Sequence, residues 1–135
     1  MKIEQYGVPL SSGQTVACEY DVDGDLLEIY FAREEASAAI ELTDNMVLRF
    51  DWESNTPLSL SIISFSTLLQ PSAYGPMHFE LLVDEWPDEA QAKIFAMLRR
   101  KPLTEFLTLS SYTPAHASRL IPTTAVKQIP QLMAA

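Results

Sequence analysis

Runs of alternating apolar and polar residues, separated by short turn-forming segments, constrain the fold of this chain most strongly. A period of two places every second side chain on the same face of a β-strand. Such runs include TVACEY, LLEIYF, AAIEL, MVLRFDW and LSLSIISF. Asp, Gly, Asn and Pro, which favour turns, fill the gaps between them. Because strands joined by short turns pair in antiparallel order, the sequence predicts an antiparallel meander of five or six strands.

One segment carries a strong helix signal, PDEAQAKIFAMLRRK, from Pro87 to Lys101. Proline suits the first helical turn, and the acidic residues that follow it complement the helix N-terminus. The basic residues Arg99–Lys101 would lie in the last turn, before Pro102 ends the helix. The apolar residues at helical spacing are Ala90, Ile94, Met97 and Leu98. This stripe predicts a helix packed on the sheet, and hence an α+β fold class.

The chain of 135 residues has the length of one domain, and its 47% hydrophobic content is sufficient for a core. The segment QPSAYGP separates a predicted N-terminal β module, residues 14–70, from a strand–helix–strand extension, residues 77–135. LSLSIISF and HFELLV are the expected central strands. The first dozen residues are expected to be a loosely ordered lead-in. The chain after Tyr112 is expected to be extended, with a short helix near TTAVKQI.

Charge is distributed unevenly along the chain. The net charge is −9, and residues 1–91 contain 17 acidic and 3 basic residues, a net charge of −14. Such an acidic chain repels phosphate backbones, so a nucleic-acid partner is not expected. No apolar run approaches the ~20 residues that span a bilayer, so no membrane partner is expected either. The N-terminus lacks a secretory signal and Cys18 is the single cysteine, which together predict a cytoplasmic protein.

The stretch DVDGD places carboxylates at alternate positions: Asp21, Asp23 and Asp25. A calcium-binding EF-hand loop begins in this way. It also requires glycine at its sixth position and glutamate at its twelfth, where this chain has Leu26 and Ala32. The neighbouring runs alternate as strands, so the stretch is interpreted as an acidic hairpin turn. A weak divalent-cation site there is left open.

The same turn and the strands after it resemble the bacterial and archaeal family called domain of unknown function 2283. The resemblance covers residues 17–67. It rests on a Tyr-Asp turn followed by Asp and an apolar strand, an acidic turn into a strand that ends in Asp, and a final apolar strand. The matching residues are Tyr20, Asp21, Asp25, Leu27, Ile29, Phe31, Asp44, Asn45, Phe50, Asp51, Ile62, Ile63 and Ser66. The chain departs from the family at Ser59, Ser61 and Ser64, where members usually carry Gly, Glu and Asp.

The resemblance implies a small β-rich module that forms a dimer, and it implies no established activity. Some family members look like companions of small toxin-like proteins, which suggests antitoxin-like partner binding by analogy. The C-terminal half carries no family likeness.

Other residue types that support catalysis or metal binding do not form a recognisable motif. Cys18, His78 and His116 lack the paired spacing of a metal site, although a Cys18 nucleophile with His116 as base is left open. The acidic residues of DEWPDEA are interpreted as helix-start acids rather than as an acid–base pair. No cofactor, metal or catalytic residue is predicted.

Trp52 and Trp86 are the candidate interaction residues, because each stands at a predicted strand end beside acidic residues. Capping of the core by these indoles is the competing interpretation. The leading hypothesis is a non-catalytic protein-interaction or regulatory module that forms a homodimer, with a small protein partner as a further candidate. The alternative is a small-ligand-binding protein or enzyme with a pocket between the sheet and the C-terminal segment.

Overall fold

A computed structural model describes residues 2–70, 77–113 and 120–128 of the chain. In these ranges it contains nine strands and two α-helices. The strands are β1 Ile3–Pro9, β2 Thr15–Asp21, β3 Leu26–Tyr30, β4 Ala38–Thr43, β5 Met46–Asp51, β6 Thr56–Ile63, β7 Phe79–Glu80, β8 Leu107–Tyr112 and β9 Ile121–Val126. The helices are α1 Phe65–Leu68 and α2 Asp88–Leu98. Short 3-10 turns cover Val83–Glu85 and Leu103–Glu105.

The large sheet contains six antiparallel strands in the order β1-β2-β3-β6-β5-β4. It therefore consists of two three-stranded meanders, joined where β3 pairs with β6 instead of with β4. The register of this pairing places Leu27 opposite Ile62 and Ile29 opposite Leu60. The predicted α+β class, with a sheet of five or six antiparallel strands and one main helix, is confirmed. β6 is a central strand, as predicted.

The N-terminal residues form a strand instead of the expected lead-in. β1 pairs with β2 along its whole length, from Ile3 opposite Asp21 to Pro9 opposite Thr15. Its alternation is weak because it is an edge strand that contains glycine and ends in proline, which edge strands tolerate. The β1–β2 turn closes at Gly13, whose φ of 92° is a left-handed conformation that favours glycine.

A second, three-stranded antiparallel sheet has the order β7-β9-β8. The expectation that HFELLV forms a central strand is wrong, since β7 is a two-residue edge strand. Its last contact with β9 is the N–H of Leu81, which donates to the carbonyl of Pro122 at 3.1 Å, and the N–H of Leu82 then donates to the carbonyl of Leu42 at 2.9 Å. The short helix expected near TTAVKQI is also wrong, because this segment forms β9 between two partner strands.

The predicted main helix is confirmed, but it ends at Leu98, so the basic residues Arg99–Lys101 lie just beyond it. Ala90, Ile94, Met97 and Leu98 are its buried residues, as the spacing predicts. They join the apolar inner face of the six-stranded sheet in one core. The inner face consists of Val8, Val16, Cys18, Leu27, Ile29, Met46, Leu48, Phe50, Leu60 and Ile62.

Two adjacent isoleucines on β6 test this assignment of faces. Ile62 is 0% exposed on the inner face, whereas Ile63 is 43% exposed on the opposite face. Ile62→Ala should lower the free energy of unfolding by about 2–5 kcal/mol, since it removes buried methyl groups and leaves a cavity. Ile63→Ala should cost less than about 1 kcal/mol. Urea denaturation of both variants measures the difference, and equal losses would contradict the assignment.

Candidate functional site

The acidic stretch DVDGD forms the turn between β2 and β3, and its three carboxylates have separate roles. Asp21 Oδ1 accepts the backbone N–H groups of Asp23 and Gly24, both at 3.1 Å, which closes the turn. Asp23 is exposed, and its Oδ2 accepts the N–H of Lys2 at 3.3 Å. In the part of the chain that the structure describes, no group of three His, Cys, Asp or Glu residues is arranged to hold a metal ion.

Asp25 connects this turn to the end of β6. Its Oδ1 accepts the Tyr20 hydroxyl at 2.6 Å and the Ser66 N–H at 3.0 Å, while its Oδ2 accepts the Ser66 hydroxyl at 2.6 Å. The Phe65 N–H donates to the Asp25 carbonyl at 3.1 Å. Asp25 adopts φ 51°, a left-handed conformation that aspartate tolerates better than most residues. We call Tyr20, Asp25 and Ser66 the aspartate clamp.

The clamp shifts the pKa values of its two titratable members. Partial burial alone would raise the pKa of Asp25, but the hydrogen bonds from Ser66 and Tyr20 outweigh it, so the pKa lies below the usual 3.8. The hydrogen bond to the Asp25 carboxylate, with burial, raises the pKa of Tyr20 to about 12. At neutral pH the clamp is therefore a charged carboxylate held by two neutral hydroxyls and a backbone N–H.

Other polar residues that carry the family resemblance also lie at strand ends. Asp51 Oδ2 accepts the Ser54 N–H at 2.9 Å and its hydroxyl at 2.8 Å, which fixes the β5–β6 turn. The carbonyl of Asn45, in the β4–β5 turn, accepts the Ile63 N–H at 2.7 Å. Each of these contacts has a structural role in positioning strand ends.

Cys18 is 1% exposed on the inner face, and burial raises the pKa of its thiol to about 12. A thiol held protonated at neutral pH is a poor nucleophile. His78 is exposed just before β7. His116 lies outside the residues that the structure describes, and so does any pairing of it with Cys18. The acidic residues Asp84, Glu85, Asp88 and Glu89 are all exposed.

The two candidate interaction tryptophans have different surroundings. Trp86 is 4% exposed, its indole N–H donates to the Glu41 carbonyl at 2.7 Å, and its ring packs edge-on against Phe95. Trp52 is half-buried at the end of β5, where the Lys93 ammonium lies 4.7 Å from its ring centroid. The same ammonium donates to the Trp52 carbonyl at 2.9 Å, so Trp52 connects α2 to the large sheet. Trp86 connects the segment before α2 to β4 of the same sheet.

The face of the large sheet opposite the core, which we call the outer face, mixes polar and apolar side chains, and several of them are exposed. It is defined by three rows of residues that run across the strands. These rows are Gly7, Ala17, Tyr30, Ser59, Arg49 and Ala39; Gln5, Glu19, Glu28, Ser61, Val47 and Glu41; and Ile3, Asp21, Leu26 and Ile63. Gly7, Ala17, Ala39 and Arg49 are among its exposed members.

Opposite charges meet on the outer face. Arg49 Nη1 donates to the Ser61 hydroxyl at 2.8 Å, and that hydroxyl donates to Glu28 at 2.6 Å. Arg33 lies beside the first row, pairs with Glu19 at 3.2 Å and covers the Tyr30 ring at 3.9 Å. The alternation of LSLSIISF places the β6 serines on the polar side of the strand, but alternation cannot show which longer side chains cover them.

A groove lies at the end of the large sheet opposite the aspartate clamp. It consists of two adjoining cavities of about 320 and 330 Å³, which share Gln14, Phe31, Lys101 and Pro102 in their walls. The β1–β2 turn, the end of β3 and the β5–β6 turn form one side, and the segment after α2 forms the other. The alternative hypothesis expected a pocket between the sheet and the C-terminal segment, but no sequence pattern indicated these walls.

Comparisons with family models, curated proteins and solved structures find no match for this chain. Within the described ranges, none of the helices has both the length and the apolar character needed to cross a membrane.

The aspartate clamp makes the stability of the fold depend on pH. Because the folded-state pKa of Asp25 is lowered, its carboxylate stabilises the fold above the unfolded-state pKa, and this stabilisation is lost as pH falls through the folded-state value. Asp25→Asn should cost about 1–2 kcal/mol at about pH 6, after allowance for partial exposure. The difference from the wild type should shrink below about pH 4.

Asp23→Asn is the matched control, since Asp23 lies in the same turn and makes one long hydrogen bond. It should change the free energy of unfolding by less than about 0.5 kcal/mol. Urea denaturation of the three proteins across this pH range measures both effects. Equal stability of Asp25→Asn and the wild type at neutral pH would contradict the role assigned to the clamp.

Proposed function

We propose that the protein is a non-catalytic interaction module of the cytoplasm that forms a homodimer through the outer face of its large sheet. The observation that carries this proposal is the arrangement of opposite charges on that open face. The occupant proposed for the face is a second copy of this chain.

Charge supports self-association at this surface. Two acidic chains repel each other at most relative orientations, since residues 1–91 carry a net charge of −14. Arg33 and Arg49 are two of the three basic residues in that range, and both lie on or beside the outer face. A face with both signs can pair with a copy of itself across a two-fold axis, because each arginine can then lie near a carboxylate of the other copy.

Shape and apolar exposure support the same surface. Ile3 and Ile63, 44% and 43% exposed, stand at one end of the outer face. Further along it, Gly7 and Ala17 leave a shallow depression of about 300 Å³ beside Arg33. Across a two-fold axis, the projecting isoleucines of each copy can lie near the depression of the other copy, so the same contact forms twice.

The resemblance to domain of unknown function 2283 adds support, because that family is expected to form dimers. Antitoxin-like binding of a small protein partner remains a second use of the same surface by this analogy. Trp52, half-buried at the end of β5, stays a predicted interaction residue. Trp86 is 4% exposed, so it stays a predicted interaction residue only for a partner that contacts the segment before α2.

Sedimentation velocity of the purified chain at micromolar concentrations tests the proposal. The wild type should show a reversible monomer–dimer equilibrium. Ile63→Lys should raise the dissociation constant at least about tenfold, since it places an unpaired ammonium in a dehydrated interface.

Leu120→Lys is the control, because Leu120 is 65% exposed and stands just before β9, away from the outer face. This variant should dimerise within about twofold of the wild type. A wild type that is monomeric throughout, or an Ile63→Lys variant that dimerises normally, would overturn the proposal.

A further inference from the structure

The groove at the end of the large sheet combines an apolar floor with a polar rim. Phe31 is half-buried, contributes to both cavities and packs its ring 5.7 Å from that of Phe106. Pro102 continues the apolar floor, while Gln14 and the hydroxyl-bearing residues of the two turns form the rim. Each cavity has the volume of a small-molecule site, which begins at about 300 Å³.

Positive charge concentrates at one wall of the groove. Arg100 and Lys101 follow α2 directly, and both contribute to the second cavity. The Arg100 Nε donates to the Ala96 carbonyl at 3.0 Å, which fixes the base of its guanidinium at the end of the helix. Neither residue forms an ion pair with an acidic side chain of the described ranges. In a chain of net charge −9, this wall is a local concentration of positive charge.

Glu105 is the one acidic side chain among the described residues that line the groove, and it is already engaged. Both carboxylate oxygens of Glu105 accept the Ser11 N–H at 3.1 Å. Hydrogen bonds from Ser11, with the nearby charges of Lys101 and Lys127, hold the pKa of Glu105 below its usual range. This contact joins the β1–β2 turn to the segment after α2 and so holds the two sides of the groove together. The described lining of the groove thus contains two cations, Arg100 and Lys101, and one carboxylate, which is directed at the wall of the groove itself.

We infer that the groove binds a small organic anion with an aromatic body, whose ring lies against Phe31 and whose carboxylate or phosphate faces Arg100 and Lys101. An apolar floor beside cations that form no ion pair in the described ranges fits this ligand class, because the ring is dehydrated while the anion gains charge-assisted hydrogen bonds. This site is independent of self-association, since the groove lies at the sheet end and the proposed dimer uses the outer face.

Two-dimensional NMR of the ¹⁵N-labelled full chain tests the inference with four probes: phenyl phosphate, benzoate, phenol and inorganic phosphate. Phenyl phosphate or benzoate should produce saturable shifts of the Ser11, Gln14, Phe31 and Asn55 amides. Phenol and inorganic phosphate should each bind at least fivefold more weakly, because each supplies only one half of the ligand. The difference between phenyl phosphate and benzoate shows which anionic group the site prefers.

The double variant Arg100→Gln/Lys101→Gln should weaken binding of the better probe about five- to tenfold, as expected for two partly exposed charge contacts. The matched control is Lys2→Gln/Arg99→Gln, which removes two charges outside the groove and should change binding by less than twofold. Phe31→Leu should weaken binding of phenyl phosphate but not of inorganic phosphate. The NMR spectra themselves show whether each variant is folded.

Three results would overturn the inference. Equal affinity for phenyl phosphate and inorganic phosphate would show an adventitious ion only. Shifts spread over the surface and away from the groove would show that the probe binds elsewhere. Equal weakening by the double variant and its control would show that net charge, and not this wall, attracts the anion. None of these results depends on whether the chain forms dimers.

Discussion

The antiparallel pairing of β3 with β6 is the contact on which the rest of the structure depends. It joins strands that are far apart in sequence, and without it the large sheet would divide into two separate three-stranded sheets. The aspartate clamp secures one end of this pairing, since Asp25 leads into β3 and Ser66 follows β6. Because the paired strands form one continuous inner face, its apolar residues belong to one core with those of α2, α1 and the second sheet.

The same pairing determines the two surfaces with proposed roles. Ser61 of β6 lies between Glu28 of β3 and Arg49 of β5, so the outer-face network exists only when the two halves meet. The groove forms at the opposite end of the sheet from the clamp, where two turns and Phe31 face the segment after α2. The two proposals use different surfaces, one for a second copy of the chain and the other for a small molecule, so the proposed roles can operate separately.

Much of the fold could be predicted from the sequence, because alternation and helical spacing report local geometry. The period of MVLRFDW and the stripe from Ala90 to Leu98 gave the correct elements. The features that were predicted wrongly or not at all depend on contacts between residues far apart in sequence. β1 is recognisable as a strand only through its partner β2, and β9 only through its position between β7 and β8. Asp25 was identified as a turn residue, but its bond to Ser66 spans 41 positions, which no local pattern reveals. The residues that form the walls of the groove were not identified for the same reason.

Inter-subunit distance measurement by pulsed electron paramagnetic resonance tests most directly whether two outer faces meet. Ala17→Cys places a spin label on the outer face, and Ala92→Cys places one on the exposed side of α2, while Cys18 is buried and so resists labelling. Sheets packed face to face lie about 10 Å apart, so the proposed dimer should give a short distance between Ala17→Cys labels and a much longer one between Ala92→Cys labels. The reverse order, or no coupling between Ala17→Cys labels, would contradict it.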